Sequence, residues 1–152
     1  MNQKTPSTPT AANDTVEALR LDRQLCFALY GAANRVTRLY RPLLEALGLT
    51  YPQYLAMLVL WEASPRTVGA LGEALDLESS TLTPLLKRLE AQGLVERKRD
   101  PDDERRVIVA LTSTGLALRE QARRVPEQLL CRLDLPLEEL GDLRERLKTL
   151  AV

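Results

Sequence analysis

Two cysteines and four tyrosines carry whatever redox chemistry this 152-residue chain can do. There is no histidine. That excludes a Ser-His-Asp triad and any histidine-held metal, and Cys26 and Cys131 alone do not make a zinc site. The chain is therefore read as needing no metal and no cofactor. Cys26, Tyr30, Ala33, Thr37 and Tyr40 follow one another at steps of four, three, four and three, which puts all five along one face of a helix. Burial alone disfavours a thiolate, and phenol donors of this kind offset that cost. Such a thiolate is the oxidisable form of cysteine. The same spacing also describes plain packing. A small core hydrophobe is the usual fate of a free cysteine, and buried tyrosines with satisfied hydroxyls are ordinary. On spacing alone, packing is the stronger reading for Cys26 and for Cys131.

A second chemistry-bearing stretch runs from Val68 to Thr112. Val68, Leu71 and Leu75 have helical spacing. A break at LESS follows, and a second helix should start at Ser79, Ser80 or Thr81, whose hydroxyls suit an N-cap. Pro84 is expected in its first turn. Leu82, Leu85, Leu86 and Leu89 then face inward, Gly93 ends the helix, and Thr81, Thr83, Lys87 and Arg88 face outward. A strand beginning at Val95 and Arg97, a polar DPDDE tip and the β-branched return RVIVAL make a hairpin. Helix-turn-helix plus hairpin is a winged helix, whose second helix enters the major groove of DNA. The residues expected on DNA are Ser79, Ser80, Thr81, Thr83, Lys87 and Arg88 of that helix, with Arg97, Arg99, Arg105 and Arg106 of the wing. Asp100, Asp102 and Asp103 would repel phosphate and are expected to orient the wing arginines. The plainer reading of all these charges is a solvated face.

Around this stretch the chain is helical, so the fold class is mainly α with a small β-wing. Helix is expected from about Thr15 to Leu47, disturbed near Pro42 and closed at Gly48. Thr50 caps a deeply buried helix with Pro52 in its first turn, and Ser64–Thr67 is a turn. After the hairpin Thr112 caps a helix with Leu116, Leu118 and Ala122 inward, which Pro126 bends or splits. A last helix from about Leu137 to Leu150 carries Leu140, Leu143, Leu147 and Leu150 on one stripe. Residues 1–14 read as a flexible polar arm, and 15–152 as one domain. Within it, 67–111 would be the winged helix, and 15–48 with 112–152 would be dimerisation helices. A winged helix leaves the apolar stripes of those outer helices uncovered, and an intertwined two-fold homodimer covers them economically while setting two reading heads on a palindromic site.

Composition adds exclusions. The 21 basic and 21 acidic residues cancel, so no global charge recruits DNA and the case rests on local arrangement. No stretch is long and apolar enough to span a membrane, and no signal peptide is expected. Two distant cysteines fit the reducing cytoplasm.

The order of elements and the wing wording VERKRDPDDERRVIVALTSTG resemble the MarR family of dimeric winged-helix repressors. LCFALYGAANRVTRLYRPLLEALGLTYPQYLAMLVLWE and LESSTLTPLLKRLEAQGLVERKRDPDDERRV are similar to its organic-hydroperoxide-sensing subgroup, OhrR. The resemblance covers nearly everything after about Leu21 and implies a repressor of a peroxide-resistance gene. It makes Cys26 the sensing thiol, supported by Tyr40 and Tyr51 with Tyr30 beside them. Cys131 corresponds to the second cysteine of some members, and would be a resolving thiol supplied by the partner subunit. The resemblance thereby reverses the odds set by spacing. The apolar neighbours Leu25, Phe27 and Leu29 would favour organic hydroperoxides.

Three functions compete. The first is a redox-switched repressor on double-stranded DNA. The second is a repressor of the same fold released by a small phenolic ligand, with Cys26 incidental. The third is a thiol peroxidase, disfavoured because no CxxC motif or strand-rich redox fold is present; the chain is not expected to be an enzyme.

Overall fold

The computed structural model describes residues 17–133 and 135–150. The expected arm, 1–14, lies outside them. A 3-10 turn (Leu21–Arg23) precedes α1 (Leu25–Glu45), α2 (Tyr51–Glu62), β1 (Arg66–Thr67), α3 (Val68–Leu75), α4 (Ser79–Ala91), β2 (Val95–Arg99) and β3 (Val107–Leu111). Three further helices follow: α5 (Ser113–Ala122), α6 (Val125–Leu130) and α7 (Leu137–Lys148). The chain falls into two compact units, 1–38 and 39–152.

In the first unit the helix expected from about Thr15 is interrupted: Glu17 and Ala18 are helical, a 3-10 turn follows at Leu21–Arg23, and α1 begins at Leu25. Side chains compete for the backbone there. The Gln24 amide donates to the Ala18 and Arg20 carbonyls at 2.7 and 3.1 Å, and Arg20 donates to Asp22 at 2.9 and 3.0 Å. These bonds stabilise a tight turn in place of a helical one. Leu25, Phe27 and Tyr30 are all exposed.

In the second unit the core gathers around α2. Gln53 reaches back to accept the Thr50 amide proton at 2.8 Å, which fixes the start of that helix. Tyr54, Ala56, Met57 and Leu60 are then buried against Leu71 of α3 and against Leu82, Leu86 and Leu89 of α4. Each such leucine contributes on the order of 2 kcal/mol by leaving water. All four inward positions expected for α4 are buried. It starts at Ser79, one of the three expected residues, but its cap differs from expectation. Glu78 is the N-cap, and its carbonyl accepts from both Thr81 and Leu82 at 3.0 Å, so no serine hydroxyl is used as a cap. Pro84 consequently falls inside the helix, beyond its first turn. Pro84 and Ser80 are both exposed, so water can satisfy the Ser80 carbonyl that a proline leaves without a partner.

The sheet is antiparallel in the order β1-β3-β2. Val95 to Arg99 pair with Leu111 to Val107, as the hairpin reading expects. Arg66 and Thr67, read from sequence as a turn, form a third strand against Val109 and Ile108. Two residues are too few to show a period, and their partners lie far along the chain. Thr67 also caps α3, accepting from the Ala70 amide at 3.1 Å.

Thr112 caps α5 as expected, accepting from the Gly115 amide at 3.0 Å. Leu116 does not face inward; it is exposed, while Ala122 is buried and Leu118 is half-buried. The chain is divided near Pro126, where α6 starts. On α7, Leu143 and Leu147 remain exposed. Among the described residues no helix is long and apolar enough to cross a membrane.

Candidate functional site

Two surfaces of the second unit gather the residues singled out in the sequence. The first lies between α4 and the hairpin. A cleft of about 420 Å³ is lined by Thr67, Ser79, Thr83, Arg97, Arg105 and Arg106, among others. The start of α4 and three hairpin arginines therefore border one concavity, which is the shape and charge that a phosphate backbone fits. Ser80, Thr81, Lys87 and Arg88 are exposed on α4 and Thr83 is half-buried. Neither Lys87 nor Arg88 joins an ion pair among the described residues.

The wing residues differ in what already holds them. Asp103 binds both tip arginines, accepting from Arg105 Nε at 3.1 Å and lying 3.5 Å from Arg106 Nε. Those contacts hold its carboxyl below the ordinary carboxylate range, the Arg105 hydrogen bond contributing most. Asp100 shapes the tip backbone: its carboxylate accepts the Asp102 amide at 3.0 Å, and its own amide donates to the Arg106 carbonyl at 3.0 Å. Arg99 donates to the Glu104 carbonyl at 3.3 Å. Arg97 is engaged elsewhere. Its guanidinium donates to Glu90 of α4 at 2.7 and 2.9 Å, and its amide donates to the same carboxylate at 3.1 Å. It fastens the wing strand to the helix, with its guanidinium already held by that carboxylate.

The second surface is aromatic. Tyr40 of α1 and Tyr51 of α2 lie with ring centroids 4.7 Å apart. Sequence reading missed a third member: Tyr54 sits 5.8 Å from Tyr40 and 6.4 Å from Trp61, edge-on to the latter. Its signal was its place one turn after Tyr51 on the same helix. Burial, helped by the neighbouring phenols, pushes Tyr40 up to about 12. Burial also raises Tyr51 and Tyr54. All three stay protonated at neutral pH and are hydrogen-bond donors. Cys26 is exposed in the first turn of α1, and Tyr30, one turn on, is exposed as well. Cys131 is exposed at the end of α6, bordering a cleft of about 340 Å³ with Leu43, Glu127, Gln128 and Arg132. Among the described residues no cluster of histidine, cysteine, aspartate and glutamate is arranged to hold a metal.

Known proteins resemble this chain over most of its length. The family model described as transcriptional regulator SarA/Rot matches residues 38–121. The organic hydroperoxide resistance transcriptional regulator of Bacillus subtilis (strain 168) is 48% identical over 132 residues, which are 87% of this chain and 90% of that one. Among solved structures, reduced AbfR bound to DNA gives a TM-score of 0.73 at 40% identity, covering 89% of this chain and 94% of that one. Disulfide-formed AbfR gives 0.61 at 39% identity, covering 91% and 97%. AbfR is a protein of Staphylococcus epidermidis.

Proposed function

Since the chain belongs to the MarR family of winged-helix transcriptional regulators, we propose that it is a homodimeric DNA-binding repressor switched off by organic hydroperoxide, which oxidises Cys26 and derepresses a peroxide-resistance gene. It is a regulator and not an enzyme. The observation that carries the redox part is the Tyr40–Tyr51–Tyr54 cluster, in which the Tyr40 ring packs against both other phenols with centroids 4.7 and 5.8 Å away. Such donors stabilise a thiolate and the charge that develops as it reacts. Tyr40 and Tyr51 serve the Cys26 thiolate, with Tyr30, one turn from Cys26 on the same helix, beside it. The exposed apolar residues at both ends of the chain, Leu25 and Phe27 with Leu143 and Leu147, are the surface that a two-fold dimer covers. Segments 15–48 and 112–152 supply that dimer, and 67–111 reads DNA.

The chemistry runs in two balanced steps. The Cys26 thiolate attacks the terminal oxygen of the hydroperoxide. The O–O bond breaks, the alkoxide leaves and takes a proton to become an alcohol, and the sulfur holds a sulfenic acid. The partner subunit's resolving thiolate, at the position of Cys131, then attacks that sulfur and expels hydroxide, which leaves as water. The cytoplasm, which keeps thiols reduced until challenged, is the compartment such a switch requires.

On DNA, Lys87 and Arg88 contact phosphates or base edges, Arg105 and Arg106 reach the flanking minor groove, and Ser79, Ser80, Thr81 and Thr83 supply hydroxyls. Arg99 supports the wing, and Arg97 acts through Glu90. Lys87→Ala and Arg88→Ala are each expected to weaken operator binding about tenfold, and to lower the salt slope by about one where a phosphate is the partner. A titration across salt concentrations reads both. Unchanged affinity in both variants would remove α4 from the interface.

A second reading has its own observation. A cavity of about 200 Å³ is lined by Tyr54, Leu58, Trp61, Ala122 and Pro126, with Arg119 and Arg123 also bordering it. It suits a small phenolic ligand that would release DNA with Cys26 incidental. One experiment separates the two. Operator release is measured with cumene hydroperoxide and with a salicylate-like ligand, each with and without dithiothreitol. Release by peroxide alone, reversed by the thiol, supports the redox switch. Release by the ligand alone, indifferent to the thiol, replaces it with the second reading.

A further inference from the structure

We propose that Tyr54 and Trp61 are positioning residues that couple the phenols to the reading head, with the hydrogen bond from the Trp61 indole to Gly115 as the joint. This rests on the redox reading above. The contacts are continuous. Tyr54, 2% exposed, packs on Tyr40 at 5.8 Å and on Trp61 at 6.4 Å. Trp61, in the last turn of α2, donates its indole N–H to the Gly115 carbonyl at 2.9 Å, and the bond is buried. Gly115 lies in the first turn of α5, where a Cβ would run into the Leu94 carbonyl oxygen, so the start of α5 rests directly on the turn that links α4 to β2. Thr112 doubles the latch. Its hydroxyl donates to the Gly93 carbonyl at 2.6 Å, and its amide donates to the Leu94 carbonyl at 3.1 Å.

A shift of the phenols therefore has a rigid route to the residues that close the recognition helix. The donor matters because the indole N–H is buried and has this one acceptor, so the joint resists small displacements and passes them on.

Trp61 is the sole tryptophan of the chain, so its fluorescence reports the joint in the unaltered protein. Stoichiometric cumene hydroperoxide is expected to change Trp61 emission in step with operator release, and to leave Cys26→Ser silent. Trp61→Phe keeps an aromatic ring and deletes the donor. It is expected to oxidise at the wild-type rate, yet to lose at least tenfold of the ratio between reduced and oxidised operator affinity. Tyr54→Phe, which keeps the ring, should retain that ratio. An unchanged emission during release, or an unchanged ratio in Trp61→Phe, overturns the coupling. If Trp61→Phe does not fold, the emission experiment decides alone. A wild-type protein that holds DNA through peroxide overturns the redox reading instead.

Discussion

Cys26→Ser is expected to bind operator as tightly as the wild type and to keep it through any amount of organic hydroperoxide that releases the wild type completely. Cys26 is exposed on the single chain, so a hydroxyl in its place disturbs no packed core, and fold and reduced-state affinity should survive. A serine hydroxyl forms no sulfenic acid, so the first step has nothing to act on. The phenols give the graded version of the same test. Tyr40→Phe and Tyr51→Phe keep the tilted ring contact, centroids 4.7 Å apart, and remove one donor each. A hydrogen bond to a charged group contributes about 1.5 kcal/mol, so each variant should be oxidised about tenfold more slowly. Stopped-flow loss of free thiol, read beside operator binding, gives both results. Release of DNA from Cys26→Ser under peroxide would sink the mechanism at its root. Full-speed oxidation in both tyrosine variants would leave Cys26 in place but deny the phenols their part.

How far the sequence alone carried this depended on the range over which each contact acts. The α4 core positions were legible because Leu82, Leu85, Leu86 and Leu89 repeat at helical spacing, and burial follows that period directly. The Val95–Leu111 hairpin was legible because alternation and a polar tip are local signals. What escaped was set by contacts distant in sequence or by competition between near-equal local options. Arg66–Thr67 becomes a strand only through β3, some forty residues later. Three hydroxyl residues in a row left the start of α4 open, and Glu78 closed it with its backbone instead. Arg97 looked like any wing arginine until Glu90, seven residues earlier, was seen to claim its guanidinium. The phenol pair was named from a resemblance. Spacing set Tyr40 on the face of Cys26, whereas the packing joins it to Tyr51 and Tyr54 of the next helix. The Trp61–Gly115 bond had no local signal, since it spans fifty-four residues.

Cys131→Ser is expected to change the fate of the oxidised sulfur more than the fact of its oxidation. Cys26 still reacts in this variant, but no second thiol arrives to expel hydroxide. The sulfenic acid then persists and further peroxide carries it to sulfinic acid, which dithiothreitol does not reverse. Intact mass should show two added oxygens on a monomer-sized species, where the wild type shows two chains joined through sulfur. Operator release should be incomplete at one equivalent of peroxide. Reversal by thiol, complete in the wild type, should be lost after excess peroxide. The reason release depends on the second cysteine is geometric. A disulfide needs its Cα atoms within roughly 7 Å. Cys131 is anchored at the end of α6, behind the buried Val125 and Leu129. Bonding it to a partner's Cys26 must therefore displace a helix end in the dimer, and that displacement alters the separation of two reading heads set to half-sites about one helical turn apart. A sulfenic acid alone exerts no such pull. Wild-type protein that lets go of DNA without forming a linked dimer would keep Cys26 as the sensor and remove Cys131 from the switch.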